Sequence, residues 1–315
     1  MKKTIISILA AAVTMTACDL NKMPLSQLSP DTFFSTEAEL EAFSNNFYND
    51  LPGTSVYEEE SDLLIKDGLL AEMRDGRTIP ASGGGWTFTE LRNYNTLIEY
   101  SVNCPDIEVR NEYVALARFF RAYFYFEKVK RFGDVPWYDK QLGSADPELY
   151  KPRDSRDLVM TKVIEDLDYA SEYLPTVHKL YKVTKWTALA LKSRACLFEG
   201  TFRKYHNISG LEHDADFFLN EAVKAAEEFM LTSGYSIYTG GGIDNSYAQL
   251  FNSDNAIGTE IILARDYDRS LGIQHNGTYH TIGNYGNPSM TRKMACMYLM
   301  KDGTRFTEGA GWETM

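Results

Sequence analysis

Apolar residues recur every three or four positions through most of the first 234 residues, the period of helices with one buried face. Thr36-x-x-Glu39 has the form of a capping box, and Leu40, Phe43, Phe47 and Leu51 then share one face until Pro52-Gly53. Thr87-x-x-Glu90 has the same form ahead of Leu91, Tyr94, Ile98 and Val102, which run to Pro105. From about 106 to 132 the pattern changes, because apolar residues cover almost every face. Nine aromatics fall between 115 and 138: Phe119, Phe120, Tyr123, Phe124, Tyr125, Phe126, Phe132, Trp137 and Tyr138. Such a helix must be wrapped by others on most sides. It ends at Gly133-Asp134-Val135-Pro136, where a glycine cap precedes a proline that cannot continue it.

Three more helices follow. One starts at Asp154-Ser155, presents Val159, Val163, Leu167, Ala170 and Leu174, and stops at Pro175. Thr184 opens the next, with Ala188, Leu191, Ala195, Phe198 and Phe202. The third spans about 216 to 233 with Leu219, Ala222, Ala226 and Phe229, and Gly234 caps it. Small residues at contact positions let helices approach closely and point to stacked αα-hairpins. The arrangement is tetratricopeptide-like, although the full 34-residue signature is absent. After 235 the texture changes. Residues 235–239 and 260–264 read as short strands, and 266–289 is a loop rich in Gly, Asn, Tyr and His. The expected fold is mainly α: tetratricopeptide-like stacked αα-hairpins, an irregular loop-rich region and a few short strands.

The N-terminus stands outside that pattern. Met1-Lys2-Lys3 is a charged start, Thr4 to Met15 a short apolar run, and Thr16-Ala17-Cys18 a boundary of small residues. This reads as a secretory signal, too short for a mature membrane span. Cys18 directly after Thr-Ala resembles a bacterial lipobox, in which the cysteine becomes the lipidated first residue; an ordinary signal cleaved nearby is the alternative. The expected division is 1–17 signal peptide, 18–35 extended tether, 36–234 helical scaffold and 235–315 loop-rich ligand-binding region.

Composition narrows the function. Lys plus Arg number 32 and Asp plus Glu 44, a net charge of -12, with no basic patch, so nucleic acid is not an expected partner. The 20 tyrosines suit wet interfaces and flat ligands such as sugar rings. No phosphate loop, dinucleotide fingerprint, HExxH or GxSxG motif occurs. Cys104, Cys196 and Cys296 match no zinc or disulfide framework. His275 and His280 share a loop, but none of the five histidines has helical i, i+4 ligand spacing beside a Glu. No catalytic residue, cofactor or metal is expected, and a carboxylate pair for glycoside hydrolysis is not marked by any motif. Sugar rings stack on aromatic planes and bond to Asn, Asp and Arg. Two loop regions have that composition. Asp67, Arg74, Gly83-Gly84-Gly85-Trp86 and Asn93 form one; Tyr267, Tyr279 and Tyr285 with Asn284 and Asn287 form the other. Trp86 reads equally as a presented indole or as the first core anchor of the next helix.

The segment ARFFRAYFYFEKVKRFGDVPWYD resembles the signature of SusD/RagB outer-membrane lipoproteins of Bacteroidetes. Other segments resemble the family in order: Leu28 to Phe34, Leu91-Arg92-Asn93-Tyr94-Asn95, Ile164 to Leu167 with Leu174-Pro175, Thr184 to Ala188, Ala225-Ala226 with Gly234-Tyr235, and Glu260-Ile261-Ile262. The resemblance implies a tetratricopeptide-like scaffold supporting a loop-borne glycan site at the cell surface. It implies no enzyme activity, a lipid anchor in the outer membrane, and delivery of oligosaccharide to a SusC-like TonB-dependent transporter. Asp67, Arg74, Trp86, Asn93, Tyr267, Tyr279 and Tyr285 are the expected ligand-binding residues. Family chains are longer, so a C-terminally truncated ligand-binding part is also expected. The alternative is a tetratricopeptide-like protein-interaction scaffold without glycan affinity of its own.

Overall fold

The computed structural model describes residues 32–53, 63–65, 83–282 and 289–306. Helix α1, Glu37–Ser44, starts where the capping box was expected. Thr36 Oγ1 accepts from Glu39 N, and the Glu39 carboxylate takes Thr36 N at 3.1 Å. Its hydrogen bonds to Ser35 and Thr36 outweigh burial and hold the Glu39 carboxyl below its ordinary value. Ahead of it Phe34 is buried against Phe43 and Tyr100 with a left-handed φ of 68°.

The second expected box does not form. Helix α2, Thr89–Tyr100, has Phe88 at its N-cap and no side-chain cap. Phe88 instead packs its ring on Phe124 and Tyr138, so aromatic burial fixes the start of this helix. Helix α3, Ile107–Phe132, is the central one, 26 residues long and capped by Asp106 Oδ1 on Glu108 N and Val109 N. From Tyr113 to Val129 it buries residues on nearly every side. Phe120 is fully buried among Phe47, Tyr48 and Tyr94. Gly133, with φ 71°, turns the chain out, a conformation a side chain would strain. Val135 and Trp137 then return to the core.

Helices α4 (Arg156–Tyr173), α5 (Lys185–Tyr205) and α6 (Ala215–Thr232) complete the stack. From α2 to α6 each helix packs mainly on its neighbours in sequence. At Gly200 a Cβ would lie 2.7 Å from Leu219 Cγ and 3.0 Å from Ala215 O, so glycine sets how closely α5 and α6 approach. Ala188, Ala195 and Ala222 are buried at the same kind of contact.

Ion pairs, most of them buried, tie the layers. Arg121 forks onto Asp166 of α4, Nε to Oδ2 at 2.7 Å and Nη2 to Oδ1 at 2.8 Å. Lys192 of α5 reaches Asp168 and Glu221 at 2.6 and 2.7 Å. Glu199, with no exposure, receives both Arg156 and Arg203.

Past 234 the structure departs from the expected strands. Residues 235–239 and 260–264 form no strand ladder among the described residues; Ser236 N donates to Thr259 O at 3.0 Å, just before the second segment. At the next position the Glu260 carboxylate accepts Tyr238 N, a side chain where a ladder carbonyl would be needed. Instead α7 occupies Gly242–Asn252, and short helices α8 (Gly277–Ile282) and α9 (Arg292–Ala295) follow. The strands among the described residues are β1 (Leu64–Ile65) and β2 (Ser289–Met290), an antiparallel pair in the register Leu64–Met290. Among the described residues no helix is long and apolar enough to cross a membrane.

Candidate ligand-binding site

The Gly83–Trp86 turn is fastened to the central helix. Lys128 Nζ donates to Gly85 O at 2.6 Å, and Arg131 Nε donates to Gly84 O at 2.8 Å. Gly85 sits at φ 82°, and a Cβ there would lie 3.4 Å from Arg131 Nε. Trp86 is thereby held in place while remaining 42% exposed. Its ring meets Phe132 at 4.9 Å and Phe88 at 5.4 Å edge-to-face, with the Arg153 guanidinium 4.6 Å from its centre. Both readings of Trp86 therefore hold in part: it anchors to the core at one side and offers indole to solvent at the other.

Beside this turn lies a cleft of about 330 Å³ between α2 and the 138–149 segment. Phe88, Tyr138, Leu91 and Leu142 form its apolar wall, and Thr89, Arg92, Lys140 and Ser144 are its polar groups. Its floor is fixed from below. Asn95, 1% exposed, donates to Tyr138 O at 3.0 Å and Lys140 O at 3.2 Å, while its Oδ1 accepts from Arg121 Nη1 at 3.0 Å. The Tyr125 hydroxyl accepts from Tyr138 N at 2.6 Å and donates to Pro136 O at 3.2 Å. Burial lifts the Tyr125 phenol far above its ordinary value, so it stays a neutral hydrogen-bonding group.

Tyr267 and Tyr279 lie elsewhere in the chain, 39% and 55% exposed. Tyr267 packs edge-on against His275 at 5.1 Å. Its neighbour Asp266 lines a second cleft, about 520 Å³, with Tyr48, Asn49, Pro52, Tyr181 and Arg265. That cleft shares no lining residue with the one at α2. Of the expected ligand residues, then, Trp86 touches Phe88 of the α2 cleft and Tyr267 follows Asp266 of the second, while Asn93 and Tyr279 line neither. Asn93 is half-buried on α2. Asp67, Arg74, Tyr285 and the lipidation residue Cys18 lie outside the described residues.

Arg92, Lys140 and Tyr138 were not singled out for ligand chemistry from sequence. The signal in the chain was only the order Leu91-Arg92-Asn93; Lys140 follows an exit segment that reads as structural. One other cluster and one buried thiol have structural roles. Asp157, Glu212 and His213 bring ligand-type atoms within 4.8 Å of one another. Asp157 Oδ1 already accepts from Arg203 Nη1 at 2.7 Å, so a cation there would face a guanidinium. Burial pushes the Cys196 thiol up to about 12, which leaves it inert rather than nucleophilic.

Residues 88–197 match a SusD-like family model described as starch-binding associating with outer membrane. The chain is 30% identical over 225 residues to SusD-like protein P2 of Formosa agariphila, a match covering 65% of this chain and 45% of that protein. The fold is shared with a SusD-like protein of Bacteroides fragilis, at 24% identity and a TM-score of 0.55, over 70% of this chain and 42% of the other. A SusD-like carbohydrate binding protein of the same organism gives a TM-score of 0.64 at 18% identity, over 87% and 55%. The chain spans about half the length of the curated relatives it matches. The family model over residues 88–197 and the curated relatives both make the chain similar to SusD-like proteins, and the solved SusD-like structures share its helical fold.

Proposed function

We propose that this protein captures glycans at the outer surface of the cell, is tethered there by a lipid on Cys18, and passes oligosaccharide to a SusC-like TonB-dependent transporter. The observation that carries the reading is the match of residues 88–197 to a family described as starch-binding and associated with the outer membrane. The geometry gives it a means. Trp86 is a braced, partly exposed aromatic plane of the kind on which the C–H face of a sugar stacks, and Tyr267 and Tyr279 are exposed rings in the later loops. Binding of this type is non-covalent, and the small area buried per sugar sets it at micromolar or weaker affinity. Calorimetry and affinity gels against a polysaccharide panel test it. Trp86→Ala and Tyr279→Ala are expected to weaken binding to a positive hit; if both leave it unchanged, the ligand residues are wrong.

A second reading, a helical scaffold that engages a partner protein, has its own support in α7. That helix buries none of its residues, and Ile243, Tyr247 and Phe251 are 103%, 75% and 65% exposed. Exposed apolar faces of this kind favour contact with another polypeptide. Co-purification of a transporter with no affinity for any glycan would favour this reading over the first.

A further inference from the structure

The α2 cleft is unusual in its charge. The protein carries a net charge of -12, yet Arg92 and Lys140 line this cleft and no carboxylate does. Neither side chain has a hydrogen-bond or ion-pair partner among the described residues, although most other basic groups on α3 to α5 are paired. Two unpaired cations facing one concavity repel each other and gain when an anion comes between them. Arginine offers a planar fork that fits a carboxylate or sulfate with two parallel bonds; lysine adds a point charge. The rest of the lining suits a sugar. Phe88 and Tyr138 present apolar surface, and the Thr89 and Ser144 hydroxyls are available to ring hydroxyls. At about 330 Å³ the cleft is the size of one or two sugar rings. It is also pre-organised. Asn95 holds the carbonyls of Tyr138 and Lys140, and Phe88 touches Trp86, so cleft and indole form one continuous surface.

We infer that the α2 cleft binds the anionic group, carboxylate or sulfate ester, of an acidic sugar residue, with Arg92 and Lys140 as the residues that select it. This rests on the glycan-binding reading above and adds the class of glycan. Such a contact lies at the protein surface, so it weakens with salt and each cation contributes modestly.

The experiment compares four probes on the purified protein by calorimetry: an oligogalacturonate, a sulfated galactan oligosaccharide, a neutral galactan oligosaccharide and polyglutamate. Arg92→Gln and Lys140→Gln are read alongside; both residues are exposed, so the variants keep the fold. At least one acidic oligosaccharide is expected to bind about tenfold or more tightly than the neutral one. Each substitution is expected to cut that binding about three- to tenfold and to flatten its salt dependence, with a smaller loss for any neutral oligosaccharide that binds. The carboxylate and sulfate arms tell which anion is read. If neutral and acidic oligosaccharides bind alike and neither substitution matters, the inference fails while glycan capture stands. If polyglutamate binds as well as the acidic sugars, the cleft reads charge alone and the inference is overturned. If no oligosaccharide in a broad panel binds the folded protein, the underlying reading falls, and this one with it.

Discussion

Arg121→Met breaks the link between the helical core and the α2 cleft, and its cost follows from the structure. Arg121 is 6% exposed and makes its fork to Asp166, a bond to Asn95 Oδ1, and a longer one to Asp139 O at 3.4 Å. The coulombic attraction and hydrogen bonds of Asp166 outweigh burial and hold its guanidinium above its ordinary value. Methionine fills much of the space but leaves the Asp166 carboxylate buried. Removing one partner of a buried pair costs about 3–5 kcal/mol. Here Arg118 Nε still reaches Asp166 Oδ1 at 2.6 Å and is 22% exposed, so the lower end, about 3 kcal/mol, applies. At an unfolding entropy of about 2 cal/mol/K per residue, a chain of 315 residues loses about 4–5 °C in Tm. Arg121→Met/Asp166→Asn removes the stranded charge and is expected to recover about 1–2 kcal/mol of that loss. Urea and thermal unfolding of the two singles and the double give the coupling. A cost below about 1 kcal/mol for Arg121→Met, or a double no milder than the sum of the singles, would refute the reasoning.

Other consequences follow from the same geometry. Gly85→Ala forces a side chain into a left-handed backbone position and against Arg131, so a loss of about 1 kcal/mol in stability is expected, with increased hydrogen exchange in the 83–86 turn. Burial alone would raise Glu221, but its bonds from Lys192 and Lys224 prevail and set its folded value below the ordinary 4.5. Its stabilising contribution is therefore full above that value and lost as pH falls through the lowered one. The stability gap between wild type and Glu221→Gln, about 1–2 kcal/mol near neutrality, is expected to shrink as pH falls below the ordinary carboxyl range in equilibrium unfolding. Cys196 is expected to resist thiol reagents in the native state at neutral pH and to react only on unfolding, read by mass spectrometry.

The helical part was legible because its signals are local. The Thr36–Glu39 box, the all-round apolar run of 113–129 and Gly133 each act over a few residues, and each appears where the sequence places it. The Thr87–Glu90 box misled because Phe88 gains more by packing on Phe124 and Tyr138 than a cap would supply. Helix α7 was missed because Gly242, Asp244, Asn245 and Ser246 are turn-forming residues, and it buries none of its positions to correct that reading. The expected strands are absent, and Tyr238 N donates to the Glu260 carboxylate rather than to a ladder carbonyl. The cleft was hidden for a similar reason. Arg92 and Lys140 are 48 positions apart, and only the exit from α3, held by Asn95 and Tyr125, brings them to one wall.

Glycan capture on a surface that includes the braced indole of Trp86 is measured most directly by isothermal titration of the folded protein and of Trp86→Ala with oligosaccharides chosen from a polysaccharide gel screen. Micromolar or weaker binding of at least one oligosaccharide is expected, reduced about fivefold or more in the variant while Tm stays within about 2 °C, since the ring is 42% exposed. Absence of binding across the screen by protein shown to be folded, or equal binding by wild type and variant, would contradict it.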